Sequence, residues 1–327
     1  MDSIMKKTAF IIGLISLLTA CNSGSGDRFM ELPDTPAGKA SISFDGARTR
    51  ASLNTVSSTF ALYGTATDAD NTSVVFNNQK IEYNNESTLW VYSPLKYWNT
   101  QADHKFGAYA PYNSSRNFSF NPEGFPMITG FMVSQNVDNQ ESLLLSHPVD
   151  REVRASGLDM SPVVFTFDPA LTRINFRIKK ESSLTDALHL NVLRMYNLKS
   201  SGNCTHNGNR IIWDTSSAPT NTFGYSTGFT NPQEVSYEGI IAWEDGALMV
   251  PQQISGITVY LSYTRRHNDL TYSYDKDNIT LPGADWQPGQ QITYVLTLKP
   301  ENYIEIGEPI VEPWIDSPSG GGTIIVN

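Results

Sequence analysis

The chain is poor in the residue types that build most catalytic and metal sites. It holds two cysteines, Cys21 and Cys204, and five histidines, at 104, 147, 189, 206 and 267. Two cysteines make neither a disulfide framework nor a zinc cluster. The histidines stand apart, and none pairs in a metal-ligand spacing such as His-x-x-x-His. Basic residues are also scarce, with Lys+Arg 23 against Asp+Glu 33 and a net charge of −10. That balance argues against nucleic acid as a partner, because wrapping a phosphate backbone takes basic surface. No apolar run reaches the roughly 18 residues that cross a membrane as a helix. A glycine-rich phosphate loop and a G-x-S-x-G elbow are absent too. The sequence therefore assigns no catalytic residue, no cofactor and no metal. Charged residues make up only 17% and aromatics reach 11%, which is the profile of a packed chain rather than a disordered one.

What is present begins with a leader. Lys6 and Lys7 precede an apolar run over residues 9–20, too short to span and typical of a secretory signal. The run ends Leu18-Thr19-Ala20-Cys21, which resembles the bacterial lipobox, so residues 1–20 read as a lipoprotein signal peptide and Cys21 as the lipidated residue. Asn-Ser-Gly-Ser-Gly follows as a flexible tether. With Cys21 acylated, Cys204 is the remaining thiol and no intramolecular disulfide forms. Cys204 lies close to His206, but no partner motif surrounds the two, so a Cys/His nucleophile is not indicated.

Beyond residue 40 the dominant signal is alternation with period two. Ile174, Phe176 and Ile178 alternate with Arg173, Asn175 and Arg177. Val259, Leu261 and Tyr263 alternate with Thr258, Tyr260 and Ser262. Ile292, Tyr294, Leu296 and Leu298, and Val163, Phe165 and Phe167, repeat the pattern. Each such run buries one face and wets the other, as antiparallel sheets do. Turn clusters separate the runs, and helix periodicity is weak; residues 182–188 are the best candidate for one short helix or turn. An all-β chain of sandwiches or barrels with few or no helices is expected. The polar stretch 146–159 breaks the alternation, which places a boundary near residue 158. Residues 51–157 then form an N-terminal domain, and residues 158–327 a C-terminal one that opens with a strand pair over 163–167 and 171–179.

Two acidic stretches open like calcium loops, Asp68-Ala-Asp70-Asn71 and Asp275-Lys-Asp277-Asn278. Both lack the glycine and the distal glutamate such a loop needs, so they read as hairpin turns. Trp90, Tyr92, Tyr97 and Trp98 cluster; they either stack on sugars or pack in a core, where strand aromatics sit well.

Several segments together resemble the fimbrillin family, the type V pilus subunits of Bacteroidetes. They are Phe60-Ala-Leu-Tyr-Gly-Thr65, Tyr97-Trp98 with Phe106-Gly-Ala-Tyr-Ala-Pro-Tyr112, Val163-Val-Phe-Thr-Phe167 with residues 170–178, Leu248-Met-Val-Pro-Gln252, and Trp286-Gln-Pro-Gly289 with Tyr294-Val-Leu-Thr-Leu298. Five pieces in order behind a lipobox are fairly specific. The resemblance implies two transthyretin-like antiparallel β-sandwich domains in tandem. It also implies a non-enzymatic subunit of a cell-surface fimbrium that serves adhesion. Such a subunit reaches the outer membrane as a lipid-anchored precursor. An arginine-specific protease then removes its N-terminal segment, and a strand from another fimbrial subunit fills the groove. Whether it is a stalk, tip or accessory subunit stays open.

The residues offer a place for each step. Arg48 and Arg50 sit among small residues in Ala47-Arg-Thr-Arg-Ala51, a stretch without strong structure where a protease can act. Just before them Ile42 and Phe44 alternate with serines, so 41–44 reads as a short removable strand within the tether 21–50. Near the other end, Thr323, Ile324, Ile325 and Val326 follow three glycines as a candidate donor tail. The rival reading is a surface lipoprotein of similar fold that binds glycan and does not polymerise.

Overall fold

Strands follow the alternation almost wherever it occurs. The computed structural model describes residues 39–49, 58–69, 71–224, 228–243, 245–255 and 257–314. Cys21, Arg50 and the run Thr323, Ile324, Ile325 and Val326 fall outside the described residues. In chain order come β1 (Phe44–Thr49), β2 (Thr59–Asp68), β3 (Asn71–Asn84), β4 (Leu89–Val91), β5 (Asp103–Ala110), β6 (Asn117–Phe120) and β7 (Pro126–Met132). One turn of 3-10 helix, Val137–Asn139, precedes β8 (Leu144–Ser146), β9 (Val149–Arg151), β10 (Val153–Arg154), β11 (Gly157–Leu158) and β12 (Val163–Pro169). Next are β13 (Thr172–Lys180), β14 (Ala187–Lys199), β15 (Ser201–His206), β16 (Ile211–Asp214), β17 (Thr220–Gly224), β18 (Gln233–Glu234), β19 (Ile240–Ile241) and β20 (Ala247–Met249). The last are β21 (Thr258–His267), β22 (Leu270–Thr280), β23 (Gln290–Leu298), β24 (Ile304–Ile306) and β25 (Ile310–Pro313). The all-β expectation is borne out. Of residues 182–188, the first part forms a turn and the last two, Ala187 and Leu188, already open β14, so the turn and not the helix is found there. Among the described residues no helix is long and apolar enough to cross a membrane.

Four larger sheets result. An eight-stranded sheet runs β1-β12-β8-β5-β2-β3-β4, with β9 beside β5. Its inner face is aromatic, with Phe60, Phe76, Phe106, Phe165 and Phe167 all nearly inaccessible. A six-stranded sheet centres on β13 and β23, which run parallel from Arg173↔Gln291 to Lys180↔Leu298. A five-stranded sheet runs β17-β14-β21-β22, with β18 beside β14. The β21–β22 hairpin turns through Asn268 (φ 47) and Asp269 (φ 66). Two consecutive left-handed residues match the twist of a tight hairpin, and Asn and Asp tolerate that region best after glycine. The second core lies between these two sheets, where the Trp286 indole N–H donates to the Tyr294 hydroxyl at 3.1 Å.

The fourth sheet, β16-β15-β7-β6, joins the two halves of the sequence, because β7 pairs with β15. Residues on both sides of position 158 thus share one sheet. The strand 163–169 also lies elsewhere than the alternation suggests. It does not pair with β13; it pairs with β1 and β8 in the eight-stranded sheet. The reason is local. Pro169 ends β12 without a backbone donor, Ala170 donates to Leu143 O at 2.8 Å, and the chain crosses to the other sheet before β13 begins. Alternation identifies a strand but not the sheet it joins.

Candidate functional site

The N-terminal segment is bonded on both sides. Ser41 bridges Tyr97 in antiparallel fashion, Ile42 N–H donates to Lys96 O at 2.9 Å and Trp98 N–H to Ala40 O at 3.1 Å. The chain then swings onto the opposite edge. Val163 N–H donates to Ser43 O at 2.8 Å, and β1 runs parallel to β12 from Phe44↔Val163 to Thr49↔Phe167. One register shift, between Phe44 and Ala47, interrupts that pairing. The segment therefore fills a slot between β12 and the stretch that follows β4.

The Ile42 and Phe44 side chains point into the aromatic core, at 1% and 6% exposure. Each such burial contributes roughly 1.5–3 kcal/mol. The Phe44 ring meets Tyr92 (5.6 Å between centroids), Phe76 (6.0 Å) and Phe60 (6.1 Å) edge to face, and stacks on Phe165 at 6.3 Å. The Tyr92 hydroxyl donates to Ile42 O at 2.7 Å. Burial pushes that phenol up to about 12, so it stays a donor at any physiological pH. The serine–apolar alternation produces this arrangement directly, since a period of two sends Ile42 and Phe44 to the same face.

The aromatic cluster of residues 90–98 forms one wall of this slot. Trp90 packs on Phe60 at 5.0 Å and Tyr83 at 5.3 Å, and buried Trp98 on His104 at 5.0 Å and Phe106 at 5.7 Å. The core reading fits Trp90, Tyr92 and Trp98. Arg48 departs from expectation: its backbone is not in a loop but pairs with Thr166 within β1.

A second cluster was not legible in the sequence. His147, Asp168 and His206 come from the position just after β8, from β12 and from β15, and their ligand atoms all lie within 4.8 Å of one another. His206 is fully buried. Its Nε2 lies 3.1 Å and His147 Nε2 lies 3.0 Å from the same Asp168 Oδ2. Such a trio has the residue types of a metal site, and its hydrogen bonds describe a different arrangement. Gly208 N–H donates to His206 Nδ1 at 3.1 Å, so Nδ1 must accept. The neutral ring then carries its proton on Nε2, and that proton faces the carboxylate. A metal at Nε2 would require an imidazolate. The trio is a hydrogen-bonded clasp that ties the eight-stranded sheet to the β16-β15-β7-β6 sheet.

The other candidates are structural. Cys204 is inaccessible within β15, and burial pushes its thiol up to about 12. A thiol so held is inert. Iodoacetamide at pH 8 is expected to leave Cys204 unmodified in the native chain and to label it fully in denaturant, as peptide mapping by mass spectrometry would show. His189 is partly exposed between buried Leu188 and Leu190, as its alternation implies. Asp68 faces Asn71 across the tight β2–β3 turn. Asp275 and Asp277 lie within β22 rather than in a turn, and Asp275 Oδ1 accepts from the Tyr260 hydroxyl at 2.8 Å.

Comparison with known proteins agrees with this architecture. A fimbrial protein from Bacteroides vulgatus superposes with a TM-score of 0.61 at 18% identity, over 84% of this chain and 99% of that one. Candidate cell adhesion proteins from Bacteroides ovatus (17% identity, TM-score 0.48, 85% and 98% coverage) and Bacteroides uniformis (15%, 0.46, 86% and 100%) are more distant. No curated protein matches the chain. The first similarity shows a shared all-β fold. The model of the fimbrillin-like family matches residues 49–314, so the chain belongs to the fimbrillin-like family.

Proposed function

We propose that this protein is a structural or accessory subunit of a cell-surface fimbrium, non-enzymatic, that serves adhesion and assembles by strand exchange. The observation that carries the reading is the two-sided slot occupied by residues 40–49. Take that segment away and β12 loses the partner along Val163 to Phe167, residues 96–98 lose theirs, and an aromatic pocket opens. Unpaired strand edges beside an apolar slot are a template for another strand. A contact of that kind between successive subunits does not close by rotation and builds a fibre. The similarity to a fimbrial protein from Bacteroides vulgatus is consistent with this role.

The remaining steps complete the reading. Lipid on Cys21 holds the precursor at the outer membrane, where one acyl chain anchors only marginally and two hold stably. An arginine-specific protease then frees residues 21–50. Arg50 is the better of its two candidate sites, because the bond after Arg48 lies inside the β1–β12 pairing and is reached only once β1 lifts away. The run Thr323, Ile324, Ile325 and Val326 is a candidate donor toward a neighbouring subunit.

N-terminal sequencing of protein taken from the cell surface tests this. The expected mature chain starts at Ala51, and a chain with Arg48→Ala and Arg50→Ala stays full length and makes no fibre. A mature surface form that begins at lipidated Cys21, or fibres built from uncut double-mutant chains, would overturn the reading.

A further inference from the structure

We infer that the slot selects a strand with an aliphatic residue followed two positions later by an aromatic ring, and so accepts a subunit with that pattern in preference to this chain's own Thr323–Val326 run. The inference rests on the strand-exchange reading above and asks which partner the slot fits.

Backbone contacts in the slot carry no preference. Tyr92 donates to a carbonyl, Val163 N–H donates to another, and residues 96 and 98 meet the segment through main-chain groups. Any extended peptide satisfies them. The choice is made by side chains, and the Phe44 position is the demanding one. Four rings surround it: Phe165 lies nearly parallel at 20°, while Phe60 (84°), Phe76 (70°) and Tyr92 (67°) meet it at steep angles. Edge-to-face and stacked contacts need a ring on both sides. A smaller aliphatic side chain forfeits those contacts and leaves a void against rigid neighbours. The Ile42 position asks for an apolar side chain, since it is buried at 1% exposure.

After the aromatic residue the pairing slips, since Phe44 faces Val163 while Ala47 faces Phe165. A fitting donor must therefore bulge there, as Asp45-Gly46 does in this chain. The Thr323–Val326 run meets neither demand. It offers Ile324 and Val326 at alternate positions, and residues 315–327 contain no Phe, Tyr or Trp and no glycine beyond Gly322. Seated in the slot, it places Val326 where the ring belongs.

The test uses the full chain with a site for a sequence-specific protease inserted between Arg50 and Ala51. The cut chain is equilibrated with an excess of fluorescent peptide of sequence 39–50, and unlabelled competitors are titrated against it. Peptide 39–50 is expected to compete best. Its Phe44→Val form and peptide 320–327 are expected to be weaker by about 30-fold or more. Competition by peptide 320–327 or by the Phe44→Val peptide within about threefold of the parent overturns the selectivity but leaves strand exchange standing. If the fluorescent peptide never enters a chain whose cut segment has been removed, the strand-exchange reading fails and this inference with it. A second measurement needs no exchange. In the uncut chain Phe44→Val is expected to lower the melting temperature by several degrees more than Ile42→Val; equal shifts overturn the aromatic preference.

Discussion

Replacing Phe165 with alanine is expected to destabilise the protein by about 3–5 kcal/mol, the usual cost of emptying a buried aromatic site. For a unit of this size that corresponds to a drop in melting temperature of roughly 5–10 °C. Phe165 is 1% exposed and is shared between the slot and the sheet that forms it. Its ring meets Phe60 at 5.8 Å, Phe167 at 6.1 Å and Phe44 at 6.3 Å. The same substitution therefore loosens the N-terminal segment. Trypsin-like cleavage among residues 47–51 should accelerate in the variant under conditions where the parent is cut slowly. Thermal unfolding and a timed digest report the two effects separately. A variant that melts within 2–3 °C of the parent would mean that Phe165 is not the keystone of this core. A large loss of stability with unchanged cleavage would uncouple the segment from the core.

The second large effect is expected at Asp168. Alanine there removes the common acceptor of two imidazoles and leaves the His206 Nε2–H buried without a partner. An unsatisfied buried donor costs about 1–3 kcal/mol, and the second lost hydrogen bond adds about 0.5–1.5 kcal/mol. A total near 2–4 kcal/mol is the expected outcome in a denaturant titration with an unchanged slope. Asp168→Asn keeps one side-chain oxygen and should lose about half as much. The measurement also separates the clasp from a metal site. Dialysis against EDTA is expected to leave the midpoint where it was, and zinc is expected to add nothing. Loss of stability on EDTA treatment comparable to that of Asp168→Ala would replace the hydrogen-bonded clasp by a metal centre.

The sequence alone determined where the alternating runs form strands and which face of each such run is buried. That information is local. A side chain at i and another at i+2 share a face whatever the strand pairs with, so Ile42 and Phe44, Val163 and Phe165, and Ile292 and Tyr294 could be sorted into core positions one strand at a time. The same locality made five family segments recognisable in order, and it made 41–44 readable as a strand. Tertiary structure decided the pairing. β13 lies parallel to β23, β7 pairs with β15, and β12 sides with β1 and β8 instead of its sequence neighbour β13. Each of these is a choice among edges with near-identical alternation, settled by which combination closes both cores at once. Arg48 shows the consequence: its neighbours suggest a loop, yet β12 offers an open edge that the backbone takes up. The clasp shows it most sharply, because His147, Asp168 and His206 are separated by 21 and 38 residues and share no period. Only the meeting of two sheets brings them to one carboxylate oxygen, where burial obliges each polar group to find a partner.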